Sequence, residues 1–177
     1  MTGERRRRLR IPFARDRRGV VMIEFALLGS FIFLLLLGFI DLGLLFYNNV
    51  NLHNATRSVA RELRILSNQP AATQAASINT ILCNKLILVD CNQVEIDVRS
   101  FNDIASITAT STIGTDGHLV NPQLQTVTGE QMLFVTTLYR HRMLTPVGLL
   151  LRTPALPGAG GPARLLISRV FTKAEAG

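Results

Sequence analysis

The chain has no tryptophan and only two tyrosines, and aromatics make up 6% of its 177 residues. Any folded core must therefore rest on Leu, Ile, Val and Ala. Two cysteines are too few for a disulfide-built scaffold. Their spacing, seven residues between Cys83 and Cys91, fits neither a zinc site nor a redox pair. His53, His118 and His141 are scattered, without metal-ligand spacing. No Gly-x-Ser-x-Gly elbow and no phosphate-cradling glycine loop occurs. The nearest pair of carboxylates, Glu95 and Asp97, alternates with Val94, Ile96 and Val98. That pattern reads as the solvated face of a strand rather than as an acid–base pair, and each histidine reads as a surface or partly packed residue. No catalytic residue, metal or cofactor is expected, and the chain does not read as an enzyme.

Charge is also missing where it matters most. Residues 25–40 carry none, and Ser30 is their only hydroxyl. The apolar stretch 20–46 is a membrane-span candidate. As a helix it covers roughly 40 Å, against about 30 Å of hydrocarbon. Glu24 and Asp41 bracket it about 26 Å apart along the axis, so both lie near opposite interfaces. Charge of one sign is concentrated ahead of it. Of 19 Lys and Arg, eight precede Val20: Arg5, Arg6, Arg7, Arg8, Arg10, Arg15, Arg17 and Arg18. Only Glu4 and Asp16 oppose them, so the head holds +6 of the net +7. Positive-inside logic puts this head in the cytoplasm and the rest of the chain across the membrane. No aromatic, zinc or helix-turn-helix pattern accompanies the arginines, so nucleic acid is not an expected partner. A cleaved secretory signal fits poorly, because the apolar run is too long and no clear small-x-small site follows.

Beyond the span, Leu52, Thr56, Val59, Leu63 and Leu66 fall on one helical stripe, with Arg57, Arg61 and Arg64 largely off it. The helix is expected to continue outward to Asn68-Gln69-Pro70, with asparagines 48, 49, 51 and 54 as a weak point for bending. A second helix is expected after Pro70, with Ile78, Ile81, Leu82 and Leu86 on one side. In an oxidising compartment Cys83 and Cys91 read as a disulfide tying this helix to the next strand, with free buried thiols as the alternative. Strands are expected over Val94–Phe101, over 132–140 as the central one, and over 165–172. Residues 105–117 read as an irregular or edge segment ending in an Asp-Gly turn. Residues 148–152 read as a short apolar turn or helix, and 153–162 as a Pro/Gly-rich loop. Helices first and strands later predict an α+β fold: a long N-terminal transmembrane helix running into a small outer domain, with a second helix and an antiparallel sheet. The expected divisions are a basic leader (1–19), the span (20–46), a helix extension (47–69) and a periplasmic domain (70–177).

The junction Arg17-Arg18-Gly19 followed by VVMIEF is similar to the processing site of type IV prepilins and pseudopilins. That likeness implies cleavage by a prepilin peptidase between Gly19 and Val20. It also implies that Glu24 pairs with the terminal ammonium of a neighbouring subunit. The plainer reading keeps Glu24 as an interfacial carboxylate paired with Arg18 or with lipid headgroups. A longer run resembles the TadE-like family of tight-adherence (Flp, type IV) pilus assembly proteins. Gly19, Glu24, Phe25, Ala26, Asp41, Gly43, Asn54, Ala55, Arg57, Ala60 and Arg61 carry it, and Cys83, Cys91 and 133–146 follow more loosely. The resemblance implies a pseudopilin-like or minor-pilin role in the inner membrane, with other pilins, the assembly platform and membrane lipid as partners. The alternative is an unprocessed single-pass anchor whose periplasmic domain binds another envelope component.

Overall fold

A computed structural model describes residues 19–103, 111–145 and 163–174. The basic leader up to Arg18, the apolar segment 148–152 and the Pro/Gly-rich stretch 153–162 lie outside the described residues, as do residues 105–110 of the expected irregular segment. The chain falls into two compact units, 1–37 and 38–177.

Helix α1, Val20–Ile65, runs through both. In the first unit its described residues are, apart from Glu24 and Ser30, apolar on every side and almost all exposed. A helix that is hydrophobic all round has no water-facing side and belongs in a core or in lipid. Among the described residues, α1 is the one helix long and apolar enough to cross a membrane, and its most apolar stretch is not buried within the protein. In the second unit the same helix turns amphipathic. Gly38, Asp41, Asn48, Leu52, Thr56, Val59 and Leu63 are buried at steps of three, four and seven, with Ala55 and Ala60 beside them. That spacing keeps one face inward along several turns. Leu66 is only half-buried. The asparagine patch does not break the helix, because Asn48 turns inward onto the domain while Asn49 stays outside. The helix ends before Asn68, whose φ of 76° is the left-handed conformation that asparagine tolerates.

Helix α2, Ala71–Lys85, starts directly after Pro70 and buries Gln74, Ile78 and Leu82. A disulfide joins Cys83, in its last turns, to Cys91, with Cα atoms 5.2 Å apart. Cys91 opens a single 3-10 turn, Cys91–Gln93, which leads straight into β1.

Strands β1 (Val94–Phe101), β2 (Met132–Arg142) and β3 (Ala163–Lys173) form one antiparallel sheet in the order β1-β2-β3. The β-rich 132–142 run is thus central. The sheet's inner face gives Val98, Leu133, Val135, Tyr139 and Leu166 to a single core with α1 and α2. The architecture is α+β, as the order of patterns predicts.

The outer face departs from expectation. Asp97 is not solvated but 1% exposed, and Thr136 and Leu138 opposite β1 are fully buried. The reason is a third layer, the loop of residues 111–127, which crosses this face. It brings in the buried Leu119 and turns at Asp116-Gly117, where Gly117 has φ 77°. Its 123–125 stretch also bonds the edge of β1 (Val98 N to Gln123 O, 2.7 Å; Gln125 N to Val98 O, 3.0 Å). A strand's alternation shows two faces but not what will cover the polar one.

Candidate functional site

The residues singled out by sequence fall in two places. Gly19 and Val20 stand at the start of α1, both exposed, with open space around Gly19. Glu24 lies one turn further, exposed among Val20, Val21, Ile23, Phe25 and Leu28. Its carboxylate makes no hydrogen bond or ion pair with any described residue. Asn54, Arg57 and Arg61 lie on the exposed side of α1, and Ala55 and Ala60 on its buried side. The small residues let the helix approach the sheet closely. Gly43 is exposed, and nothing lies within 4 Å of where a Cβ would be, so no packing within the chain calls for a glycine there.

The second place is a ladder of polar contacts along the buried stripe of α1. At its membrane end, Asp41 is 3% exposed. It accepts from the backbone N–H of Leu144 (3.4 Å) and Thr145 (3.2 Å) and from the Thr145 hydroxyl (2.7 Å). Two turns on, the Asn48 amide donates to Nδ1 of His141 at 3.2 Å. His53 Nδ1 meets the Ser168 hydroxyl at 2.8 Å. Deepest in the domain, Thr56 gives its single proton to the Leu52 carbonyl (2.7 Å), so Thr137, 2.6 Å away, donates to Thr56.

His141 does not lie on the surface; it is 6% exposed, on the inner face of β2. Burial pushes its pKa below the usual histidine range, and the negative charge of Asp41 partly opposes that. With Nδ1 accepting from Asn48, the neutral ring carries its proton on Nε2. That atom and Asn48 Oδ1 are buried without a partner among the described residues.

The outer-face cluster was not expected. Asp97 accepts from Arg99 Nε (2.9 Å), from the Gln123 N–H (2.7 Å) and from Ser111. Glu95 holds His118 Nδ1 and the Leu119 N–H, the latter at 2.7 Å. An Arg140 nitrogen lies 2.7 Å from His118 Nε2. Arginine only donates, so Nε2 accepts and Nδ1 donates to Glu95. Both imidazole nitrogens and both carboxylates are thus committed to holding the loop. This arrangement fastens the loop to the outer face of the sheet. Among the described residues no group of three or more His, Cys, Asp or Glu could hold a metal ion.

Comparison with known proteins adds one finding. The family model described as TadE-like protein matches residues 19–61. The match begins at Gly19 and ends at Arg61, the two ends of the pattern read from the residues, and covers nearly all of α1. No curated protein and no solved structure matches the chain.

Proposed function

We propose that this chain is a pseudopilin-like or minor-pilin component of tight-adherence pilus assembly, held in the inner membrane by residues 20–46. Its arginine head lies in the cytoplasm and residues 70–177 lie in the periplasm. A prepilin peptidase removes the leader after Gly19, and Glu24 then meets the new terminus of a neighbouring subunit. The role is structural, and the partners are other pilins and the assembly platform.

The observation that carries this reading is the TadE-like match over residues 19–61. It starts at the glycine where cleavage is expected, and it spans a helix that is apolar and exposed at one end and packed on a domain at the other. The outer domain suits assembly work. Its polar clusters are spent on fastening its own layers, and its strength is invested in gripping α1.

Mass spectrometry of the chain purified from membranes of cells with active prepilin peptidase tests the proposal. A product beginning at Val20 supports it. A product that retains the arginine head supports instead an unprocessed anchor whose periplasmic domain binds another envelope component.

A further inference from the structure

We infer that Leu144 is a second lipid-contacting element, held by Asp41 so that the outer domain rests on the membrane surface beside the point where α1 emerges. This rests on the membrane-anchor reading above. The starting observation is an odd side chain. Leu144 is 78% exposed, between Met143, which is buried, and Thr145, which is half-buried and bonded. Among the described residues nothing covers it.

Its position is fixed by the helix. Asp41 bonds the backbone of Leu144 and Thr145 directly, so Leu144 stands at the level of Asp41 on α1. The helix surface at that level is itself apolar and exposed, with Phe39, Ile40 and Leu42 around Asp41 and Phe46 a turn beyond. At about 1.5 Å per residue, an apolar stretch entering at Val20 has covered roughly the 30 Å hydrocarbon thickness by Asp41. Tyr47, partly exposed, then falls where aromatic residues concentrate at the membrane surface.

The chemistry of the contact favours lipid as the occupant. A loop that dips toward hydrocarbon must not carry unpaired N–H groups, because lipid offers them no acceptor. Asp41 supplies that acceptor for Leu144 and Thr145 together, and takes the Thr145 hydroxyl as well. A carboxylate at the end of an apolar span thus satisfies the donors of the loop beside it, and the side chain left outward is a leucine. The surface so formed is continuous with the apolar face of α1 that meets lipid in the anchor reading.

The absence of tryptophan makes the test direct. Full-length protein carrying Leu144→Trp is reconstituted in vesicles containing phosphatidylglycerol, with lipids brominated near the headgroup end of the acyl chain. Leu34→Trp, inside the expected span, is the companion, read with lipids brominated deep in the chain. Expected are blue-shifted emission and marked quenching at both positions. Leu144 is exposed, so the replacement disturbs no packing. In Leu144→Trp with Asp41→Ala, the emission is expected to shift red and the quenching to weaken. Quenching of Leu34→Trp without quenching of Leu144→Trp overturns the inference and leaves the anchor standing. Blue-shifted but unquenched Leu144→Trp means a protein neighbour, such as a second copy, covers the site, and also overturns it. Unquenched Leu34→Trp overturns the anchor reading itself.

Discussion

Asp41 and His141 are the two residues whose chemistry depends most on the fold around them. Asp41 receives donors from a strand end 103 and 104 positions along the chain. Asp41→Ala leaves two part-buried N–H groups and a hydroxyl without that acceptor. The expected cost is about 0.5–1.5 kcal/mol, the net worth of a typical hydrogen bond, because the donors are only part-buried. Hydrogen exchange should show it locally, as lost protection at the Leu144 and Thr145 amides while the Val135 amide in the centre of β2 stays protected. His141 gives a pH prediction. Its folded pKa is depressed by burial, so its unfolded form takes up a proton first as pH falls. Stability from the neutral ring is complete above the ordinary histidine value of about 6.5 and is lost as pH drops from there through the lower folded value. Melts between neutral and mildly acidic pH should show this loss, and His141→Gln should flatten it. Neither role was legible in the sequence. Asp41 was visible as a costly charge near the end of an apolar run, but its partner arrives from a remote strand. His141 looked like any isolated histidine, because the Asn48 that bonds it lies on a helix 93 positions earlier.

At the scale of elements, periodicity carried most of the information. The helical stripe at Leu52, Thr56, Val59 and Leu63 and the alternation at Val94, Ile96 and Val98 are local patterns, so one sequence shows them. The central strand announced itself through β-branched and aromatic density. The outer loop did not, because residues 111–127 have no period of their own and are ordered by side chains they meet only in the fold. Gln74 is the clearest case. In the sequence it is one polar residue in a polar helix start. In the fold it is 2% exposed and ties three segments together. Its two amide protons are shared among the Leu66, Gln69 and Val127 carbonyls at 3.0–3.2 Å, and its oxygen accepts from the Val127 N–H at 3.0 Å. The α1–α2 turn and the incoming loop are both held by it. Gln74→Ala should therefore destabilise the outer domain by roughly 1–3 kcal/mol, since the buried Val127 N–H loses its acceptor and the Gln69 carbonyl its donor, while the Leu66 and Val127 carbonyls keep backbone donors. Denaturant unfolding in detergent would measure this. Gln74→Glu should be similarly harmful, because a carboxylate has no proton to donate and would face three carbonyl oxygens.

For the whole molecule, the contrast between the two units decides what the chain can do alone. The unit from Gly38 onward buries its own core and pairs most of its buried polar groups. The unit before it presents a helix with almost no buried residue, and its only described charge is the exposed Glu24. Lipid tails can cover the apolar side chains, but hydrocarbon cannot satisfy a carboxylate. If the neighbour's freed terminus is that partner, insertion and assembly have opposite needs at this position. Glu24→Ala removes an unpaired charge from the span, so the protein should reach the membrane fraction at least as well as the native chain. The same change removes the anion that draws a second subunit, so pilus assembly should fall sharply. Glu24→Gln separates charge from shape: it keeps the size and a hydrogen-bonding oxygen but no net charge. Electrostatic pairing predicts that Gln behaves like Ala in a piliation assay. Assembly with Gln but not Ala would assign the contact to a neutral hydrogen bond. Normal piliation with both would leave Glu24 no part in joining subunits, and carbonate extraction of the same strains would show whether each variant had inserted.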